Sequence, residues 1–284
     1  MSDLPITTIF KMSGAGNTFV VLDGRGVDMS EFRRVERIRE LCAEHATDGL
    51  MILDNGDLDF RMEFYNPDGS GGMMCGNGGR CIVAFADFLG IHPTDGHLYH
   101  FLAPDGPHSA EILSHSAVWT VRLEMKDVDG VKEMLGGYFL NTGTRHFVKF
   151  VEDVDAIDIE KEGKELRWNE AFAPEGTNVN FVQVCEDRLK VRTFEKGVEG
   201  ETLACGTGIT ASALAAYADA RHSDGQCENW APLAGHSRAL CPARMDSGGI
   251  RIQAKSGDVL TVDFETSGPE SFRNIHLTGP AEFI

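Results

Sequence analysis

The chain carries one short pattern twice: a cysteine, then glycine-rich residues, then an apolar segment. The first copy, CGNGGRCIVAFADFLG, starts at Cys75, and the second, CGTGITASALAAYADA, starts at Cys205, 130 residues later. A single cysteine of this kind is most often a buried structural residue. Two copies in equivalent settings indicate a chain built from two halves of similar plan, which strongly constrains its fold.

Three more pairs of stretches are similar at nearly the same spacing. Their members lie 127 to 129 residues apart and follow the same order along the chain. The pairs are GNTFV from Gly16 with GTRHFV from Gly143, GLMIL from Gly49 with GTNVNF from Gly176, and FYN from Phe64 with TFE from Thr193. These ordered echoes predict an internal duplication. We expect an N-terminal half over 1–126, which the last residues, about 272–284, can join, and a C-terminal half over 127–271.

Strands outnumber helices in each predicted half. Apolar runs and alternations between turn residues predict the strands Ile6–Lys11, Phe19–Leu22, Leu50–Leu53, Asp59–Tyr65, Leu98–Ala103, Ala110–Leu113, Val118–Met125, Tyr138–Leu140, Phe147–Val151, Val179–Val184, Leu189–Phe194, Ile250–Lys255 and Val259–Phe264. This pattern favours an α+β fold over a doubly wound βαβ sheet. We expect two similar domains related by a pseudo-twofold axis, each a curved, mainly antiparallel sheet around a central helix.

Helices are fewer and fall into two kinds. Ser30–His45 has the spacing of a surface amphipathic helix, and Val154–Lys164 is charged and helix-like. Cys81–Leu89 is apolar enough for a buried helix, and a second apolar helix is expected from a cap at Thr207 or Gly208 to about Ala220. The stretch from His222 to Arg244 has no clear period and stays unassigned.

Composition excludes several classes of function. The net charge of −18 over 284 residues argues against a general nucleic-acid or acidic-membrane surface, where Lys and Arg must neutralise phosphates. The start of the chain lacks a leader-like apolar run, and no stretch approaches the roughly 18 apolar residues of a membrane span, so we expect a cytoplasmic protein. Seven irregularly spaced cysteines do not resemble a secreted disulfide framework.

A metal site is not predicted. Five histidines lie close together in the sequence, but Pro and Gly between them mark exposed loops, and no thiolate or carboxylate spacing completes a ligand set. They are His92, His97, His100, His108 and His115. A pyridoxal enzyme is disfavoured as well, because no lysine stands in the reactive constellation. We expect no cofactor.

The two cysteine motifs predict a reaction. A thiol at a helix N-terminus lies beside unpaired backbone N–H groups, which stabilise a thiolate and also bind anions. If the halves are related by twofold symmetry, Cys75 and Cys205 can flank one ligand whose carboxylate is held by both sets of donors. One sulfur then removes an α-proton and the other returns one to the opposite face. His146 and Glu195 are candidates to tune the pKa of the two sulfurs.

The motifs also resemble a known family. NPDGSGGMMCGNGGR, from Asn66, fits the N-x-D-G-S-x4-C-G-N-G-x-R pattern of diaminopimelate epimerases, and FEKGVEGETLACGTG is similar to their second cysteine motif. KMSGAGN, GTNVNF and HLTGPAEF are similar too, so the resemblance covers nearly the whole chain. Proline racemases share the paired cysteines, but their first motif has His where this chain has Asn77.

The resemblance implies a cofactor-independent epimerase that interconverts LL- and meso-diaminopimelate for lysine and cell-wall synthesis. It makes Cys75 and Cys205 the catalytic acid/base pair. The residues it implies for the reacting carboxylate are Gly76, Asn77, Gly206 and Thr207; those for the remaining amino and carboxylate groups are Asn17, Asn66, Asn178, Glu195 and Lys196. The expected partner is therefore a small diamino dicarboxylate, and a homodimer stays open.

Two departures from the family pattern affect the expected substrate. The usual Glu-Arg is Glu195-Lys196, which replaces a bidentate clamp by a point charge. The usual Asn-Pro-His is Thr144-Arg145-His146, and we hypothesise that Arg145 compensates for the lysine at a distal carboxylate. Two alternatives remain: a racemase or epimerase of the same fold acting on another amino acid, and a noncatalytic amino-acid-binding protein.

Overall fold

The computed structural model describes residues 8–72, 74–222, 249–268 and 270–284. The segment that the sequence left unassigned lies outside the described residues from its second position onward, and so do Cys227 and Cys241. The chain divides into two compact units, 1–124 with 279–284, and 125–278. The predicted boundaries were 126/127 and about 271/272. No helix in the described part of the chain is long and apolar enough to cross a bilayer.

The first unit is a mixed sheet with two helices. Its elements are β1 (Phe10–Gly14), β2 (Asn17–Asp23), α1 (Val35–His45), β3 (Gly49–Asp54), β4 (Phe60–Tyr65), α2 (Gly76–Phe88), β5 (Leu98–Ala103), β6 (Gly106–His115) and β7 (Trp119–Glu124). Consecutive strands pair from β1 to β7, with β2–β3 and β4–β5 parallel and the other pairs antiparallel. The last residues of the chain add an antiparallel neighbour to β1, pairing Phe283 with Met12.

The second unit has the same kind of sheet. Its elements are β8 (Val128–Asp129), β9 (Lys132–Met134), β10 (Gly137–Asn141), β11 (Arg145–Phe150), α3 (Lys164–Arg167), β12 (Asn178–Val184), β13 (Leu189–Glu195), β14 (Gly200–Thr202), α4 (Gly206–His222), β15 (Ile250–Gln253), β16 (Val259–Gly268) and β17 (Ser271–Phe283). Residues of β17 up to Thr278 belong to this unit, and those from Gly279 belong to the first.

The two units repeat one order of strand pairings. In the first, β1–β2 is antiparallel, β2–β3 parallel and β3–β4 antiparallel; α2 follows, and β4 then pairs in parallel with β5. In the second, β10–β11 is antiparallel, β11–β12 parallel and β12–β13 antiparallel; α4 follows, and β13 pairs in parallel with β15. The stretches that echo each other in the sequence therefore occupy equivalent strands.

Each unit surrounds one apolar helix with strands. Helix α2 packs against β1, β2, β3, β6 and β7, and α4 packs against β10, β11, β12, β13, β15 and β16. The apolar run of β2 is buried on both faces, since Val20 and Leu22 join a core cluster with α1 while the alternate residues point the other way. The architecture is the predicted α+β class, with few helices and a mixed sheet.

Several predicted elements differ from the structure. Helix α2 begins at Gly76, five residues before the predicted start at Cys81, because its glycines are buried in tight packing that outweighs their poor helix propensity. The predicted helix from Ser30 is a 3₁₀ turn, an extended Arg34 and then α1. The stretch 154–164 is not a regular helix: a 3₁₀ turn and a π turn precede the short α3, and their apolar residues pack on Phe147, Phe181 and Phe194. Strands β8, β9, β14 and β17 were not predicted.

Candidate active site

Cys75 occupies the N-cap of α2. Its backbone is extended, with φ −103° and ψ 147°, and its Sγ accepts a hydrogen bond from the Gly78 N–H at 3.2 Å. The side chain is half-buried, so solvent or a ligand can reach it. Ser, Thr, Asp or Asn usually fills this position, and a sulfur there sits at the positive end of the helix dipole. The setting stabilises a thiolate.

The glycines around Cys75 are closely packed. A Cβ on Gly78 would lie 3.2 Å from Met51 Sδ and 3.3 Å from the Cys75 sulfur. A Cβ on Gly14 would lie only 2.7 Å from the Asn77 carbonyl oxygen. The first turn of α2 therefore lies directly against β1 and β3, and its amide groups are held at fixed positions beside the sulfur.

A chain of side chains fixes Asn77 in the first turn of α2. Asn77 is 2% exposed, and its side-chain oxygen accepts from Arg80 Nη2 at 2.8 Å. Its Nδ2 donates to Asn17 Oδ1 at 2.5 Å. Arg80 is fully buried and also donates to the carbonyls of Gly76 at 3.1 Å and Pro280 at 3.3 Å. The structure thus brings the predicted residues Asn17, Gly76 and Asn77 together beside Cys75.

Asn66 lies in the loop that leads from β4 towards Cys75. Its side-chain nitrogen donates to Ser70 Oγ at 3.0 Å, and its backbone N–H donates to the Ser70 carbonyl at 2.9 Å. Asp68 accepts from the Ser70 hydroxyl in the same loop at 2.6 Å. The loop is therefore internally braced, and the half-buried Asn66 is held mainly by its own loop rather than by the Asn17–Asn77 chain.

Cys205 stands directly before α4, as Cys75 stands before α2. Helix α4 begins at Gly206, and the Ile209 N–H donates to the Cys205 carbonyl at 2.8 Å. The expected cap at Thr207 or Gly208 is therefore wrong, because these residues already lie in the first turn. The side chain is 8% exposed, and its Sγ is 3.5 Å from Thr207 Oγ1.

The predicted tuning residue His146 lies behind Thr207. Its Nε2 is 2.9 Å from Thr207 Oγ1 and 2.9 Å from Thr144 Oγ1, and these two hydroxyls are 3.1 Å apart. The ring is fully buried, and this burial lowers the pKa of His146 to about 3. His146 is therefore neutral at physiological pH and reaches the sulfur through the Thr207 hydroxyl.

Asn178 links three other segments of the second unit. Its Nδ2 donates to the Arg145 carbonyl at 3.1 Å and to Thr144 Oγ1 at 3.3 Å, and its Oδ1 accepts from the Lys196 backbone N–H at 2.8 Å. Glu195 precedes Lys196 at the end of β13, opposite Gly200. Asn178, Thr144, Thr207 and Cys205 therefore belong to one connected set of side chains.

The Arg145 side chain is already paired. Its Nη1 lies 2.5 Å from Glu175 Oε2, and its guanidinium stacks over Phe139 at 5.2 Å. The pKa of Glu175 is lowered by a backbone hydrogen bond, by Arg145 and, through charge attraction, by Lys196. Two cations and one carboxylate thus form a cluster at the end of the Asn178 network.

Sequence reasoning missed several residues of these networks. Arg80 was part of the quoted motif, and its i, i+3 relation to Asn77 would have revealed the contact had α2 been started at Gly76. Asn180 lies two residues after Asn178, on the same face of β12. Glu175 is exposed and nothing in the sequence marked it.

The remaining cysteines and histidines have ordinary surroundings. Among the described residues, Cys42, Cys75, Cys81, Cys185 and Cys205 are free thiols. Complete burial raises the pKa of Cys81 to about 12, so this thiol stays protonated. Four of the five clustered histidines each lie beside one carboxylate: His97 with Glu111, His100 with Asp95, His108 with Asp105 and His115 with Asp87.

Comparison with known proteins identifies relatives over nearly the whole chain. The family model described as diaminopimelate epimerase matches residues 9–117 and 138–237. A diaminopimelate epimerase from Aquifex aeolicus is 39% identical over 289 aligned positions, covering 95% of this chain and 93% of the relative. One from Chlorobaculum tepidum is 37% identical over 281 positions, covering 96% of this chain and 97% of the relative.

Solved structures share the fold at much lower identity. A PhzF-family phenazine biosynthesis protein from Bacillus anthracis has a TM-score of 0.66 at 12% identity, covering 97% of this chain and 96% of its own. A hydroxyproline epimerase from Agrobacterium vitis, with trans-4-hydroxy-L-proline bound, has a TM-score of 0.60 at 14% identity, covering 98% of this chain and 90% of its own. These likenesses bear on the fold alone.

Proposed function

The chain belongs to the diaminopimelate epimerase family, and from this membership we propose that it interconverts LL- and meso-diaminopimelate. It works without a cofactor, using Cys75 and Cys205 as the two acid/base groups at one α-carbon. The reaction serves lysine and peptidoglycan-precursor synthesis. Membership makes the protein an isomerase; the substrate and the two-cysteine mechanism are the proposal.

The observation that carries the mechanism is the matched placement of the two cysteines. Each precedes a buried helix that starts with glycine, after an equivalent run of strands within its unit. A binding protein needs neither sulfur at these positions. In the proposed step one cysteine, as thiolate, takes the α-proton, and the other, as thiol, donates its proton to the opposite face of the carbanion. The product leaves with the protonation states of the two sulfurs exchanged.

The reacting carboxylate is held by the first turns of the two helices. Negative charge builds up on this group as the α-proton leaves, so fixed N–H donors stabilise the transition state more than the ground state. Asn77 and Gly76 supply the donors of α2, and Thr207 and Gly206 those of α4. The buried Arg80 supports this role, because it prevents Asn77 from rotating away.

The far end of the substrate is bound by Asn17, Asn66, Asn178, Glu195 and Lys196. Arg145, Lys196 and Glu175 sum to one net positive charge, which suits a distal carboxylate. Glu175 occupies Nη1 of the Arg145 guanidinium and leaves Lys196 as the second cation. This arrangement replaces the family's arginine clamp by two separate cations.

Exchange of the α-hydrogen tests the function. With LL-diaminopimelate in D₂O, the protein incorporates deuterium at one α-carbon and forms the meso isomer, without added pyridoxal phosphate or metal. Cys75→Ala and Cys205→Ala each abolish isomer formation, and Cys81→Ala, which removes a buried thiol outside the mechanism, does not. Turnover by the Cys75→Ala, Cys205→Ala double variant would reject the mechanism.

A racemase of the same fold acting on another amino acid is the second candidate. The replacement of the clamp by Lys196 and the Arg145–Glu175 pair is the observation that favours it. A panel of amino acids in D₂O separates the two readings, because only the true substrate loses its α-hydrogen at a rate matching enzyme turnover.

A further inference from the structure

Asn180 is a fully buried amide next to the imidazole of His146. Its Nδ2 donates to the Phe147 carbonyl at 3.2 Å and lies 3.0 Å from His146 Nδ1. Its Oδ1 accepts from the Thr193 hydroxyl at 3.0 Å. The sequence predicted no role for this residue, and its complete burial prevents direct contact with a substrate.

The carbonyl of Phe147 determines which way the Asn180 amide points. A carbonyl oxygen only accepts, so the amide atom facing it must be the NH₂ group. The same NH₂ group faces His146 Nδ1, which must therefore be the unprotonated, accepting nitrogen of a neutral ring. The proton of the ring is left on Nε2, on the side of the two threonine hydroxyls at 2.9 Å; the Asn178 amide nitrogen lies farther from Nε2, at 3.5 Å.

That proton sets the direction of the next hydrogen bonds. We propose that Asn180 is a positioning residue that holds the His146 proton on Nε2. The Nε2–H group then donates to the Thr207 hydroxyl, either directly or through the Thr144 hydroxyl. The Thr207 hydroxyl is left to donate to the Cys205 sulfur, 3.5 Å away. In the opposite tautomer Nε2 accepts a hydrogen bond, so it competes with the sulfur for the Thr207 hydroxyl proton.

The arrangement uses a neutral ring instead of a charged one. A histidine held this far from water does not become an imidazolium next to the sulfur, so no ion pair forms. The thiolate form of Cys205 is instead stabilised by the α4 amides and one oriented hydroxyl. This role of Asn180 rests on the proposed function, whereas the position of the ring proton does not.

Nitrogen NMR of histidine tests the tautomer directly. The full-length protein is labelled with ¹⁵N-histidine, and the His146 signals are assigned by their loss in His146→Gln. We expect one pyridine-like, unprotonated Nδ1 and one pyrrole-like, protonated Nε2, unchanged from pH 6 to pH 9. A protonated Nδ1, or rapid averaging of the two nitrogens, would overturn the proposal whether or not diaminopimelate is the substrate.

Variants connect the tautomer to catalysis. Asn180→Asp places a carboxylate against Nδ1, which becomes protonated in the spectrum, and kcat falls about tenfold to a hundredfold while KM changes little. The control is Gln183→Glu, the same amide-to-acid change three residues along β12. The Gln183 side-chain oxygen accepts from the Val154 N–H at 3.3 Å, and we expect the His146 spectrum and kcat of this variant to be those of the native protein. An unchanged kcat in Asn180→Asp, with Nδ1 protonated, would contradict the positioning role. If Asn180→Asp does not fold, the spectrum of the unaltered protein still decides the tautomer.

Discussion

Arg80 donates to the side-chain oxygen of Asn77 at 2.8 Å, from a position with no exposure to solvent. The bond lies within α2, one turn after Cys75, and it directs the Asn77 amide nitrogen to Asn17. A charged residue buried this completely is retained only where its donors are used. Here they orient the first turn of the helix that holds the cysteine.

Loss of the Arg80 donors should therefore affect both stability and activity. Arg80→Met removes the side-chain donors to the Asn77 oxygen and the Gly76 carbonyl in a dry site, and we expect a loss of about 2–5 kcal/mol in the free energy of unfolding. In whatever folded protein remains, kcat/KM falls at least tenfold. Urea unfolding and steady-state kinetics measure the two effects. Arg25→Met, which breaks the partly exposed pair with Asp23, costs no more than about 1 kcal/mol.

Burial of His146 predicts how stability depends on pH. The pKa of His146 in the folded protein is about 3, below the usual 6.5. As pH falls below 6.5, the imidazole therefore binds a proton in the unfolded chain but not in the folded protein. The stabilising contribution is complete above that pH and declines by about 1.4 kcal/mol per unit towards pH 3. Between pH 6.5 and pH 5, the free energy of unfolding of the native protein therefore falls by about 2 kcal/mol more than that of the His146→Gln variant. The exposed His97 supplies the control, His97→Gln, which should follow the native curve.

The close packing of Gly78 predicts a strong effect of one methyl group. In Gly78→Ala the new Cβ meets both Met51 Sδ and the Cys75 sulfur, so the sulfur is displaced from the helix amides. We expect at least a tenfold loss of kcat, together with slower alkylation of Cys75 by iodoacetamide, because the thiolate loses its donor. Gly268→Ala, whose Cβ has no neighbour nearer than 3.7 Å, leaves both rates unchanged. Native alkylation in Gly78→Ala would show that the Gly78 amide does not activate the sulfur.

The cluster of Arg145, Glu175 and Lys196 predicts that loss of the Arg145 cation weakens substrate binding, whereas loss of the Glu175 charge does not. Arg145→Ala removes a cation and raises the KM for diaminopimelate about tenfold, since a hydrogen bond to a charged group contributes about 1.5–3 kcal/mol. Glu175→Gln removes the competing carboxylate from Arg145 and does not raise KM. Initial rates over a range of substrate concentration give both values. An unchanged KM in Arg145→Ala would remove this residue from the distal subsite.

The sequence predicted the parts of this molecule that depend on local pattern. Repetition of the Cys75 motif at Cys205 predicted the two equivalent helices, and the apolar runs predicted most strands of each sheet within a few residues. The start of α2 was missed because glycine disfavours helix locally, and only the tertiary contacts of Gly78 and Gly79 compensate. The helix predicted over 154–164 was wrong, because the apolar residues of this segment pack on Phe181 and Phe194 without a helical period.

The networks behind the cysteines were only partly predictable. His146 was named from the sequence as a candidate to tune a sulfur, but its neutral state follows from complete burial, which no short stretch of sequence reveals. The contact between Asn180 and His146 depends on the parallel pairing of β11 with β12, and the pairing of Arg145 with Glu175 joins positions 30 residues apart. Contacts between side chains on separate segments depend on the assembled fold, so a local sequence pattern does not predict them.

The paired ends of the chain have a consequence for its biosynthesis. Ile284 donates its N–H to the Lys11 carbonyl, Phe283 packs with Phe10, and the Pro280 carbonyl accepts from Arg80. The first cysteine is translated early, yet the partners of its helix include Pro280, which lies 200 residues after Arg80. The first unit therefore cannot complete its packing until nearly all of the second unit has been synthesised.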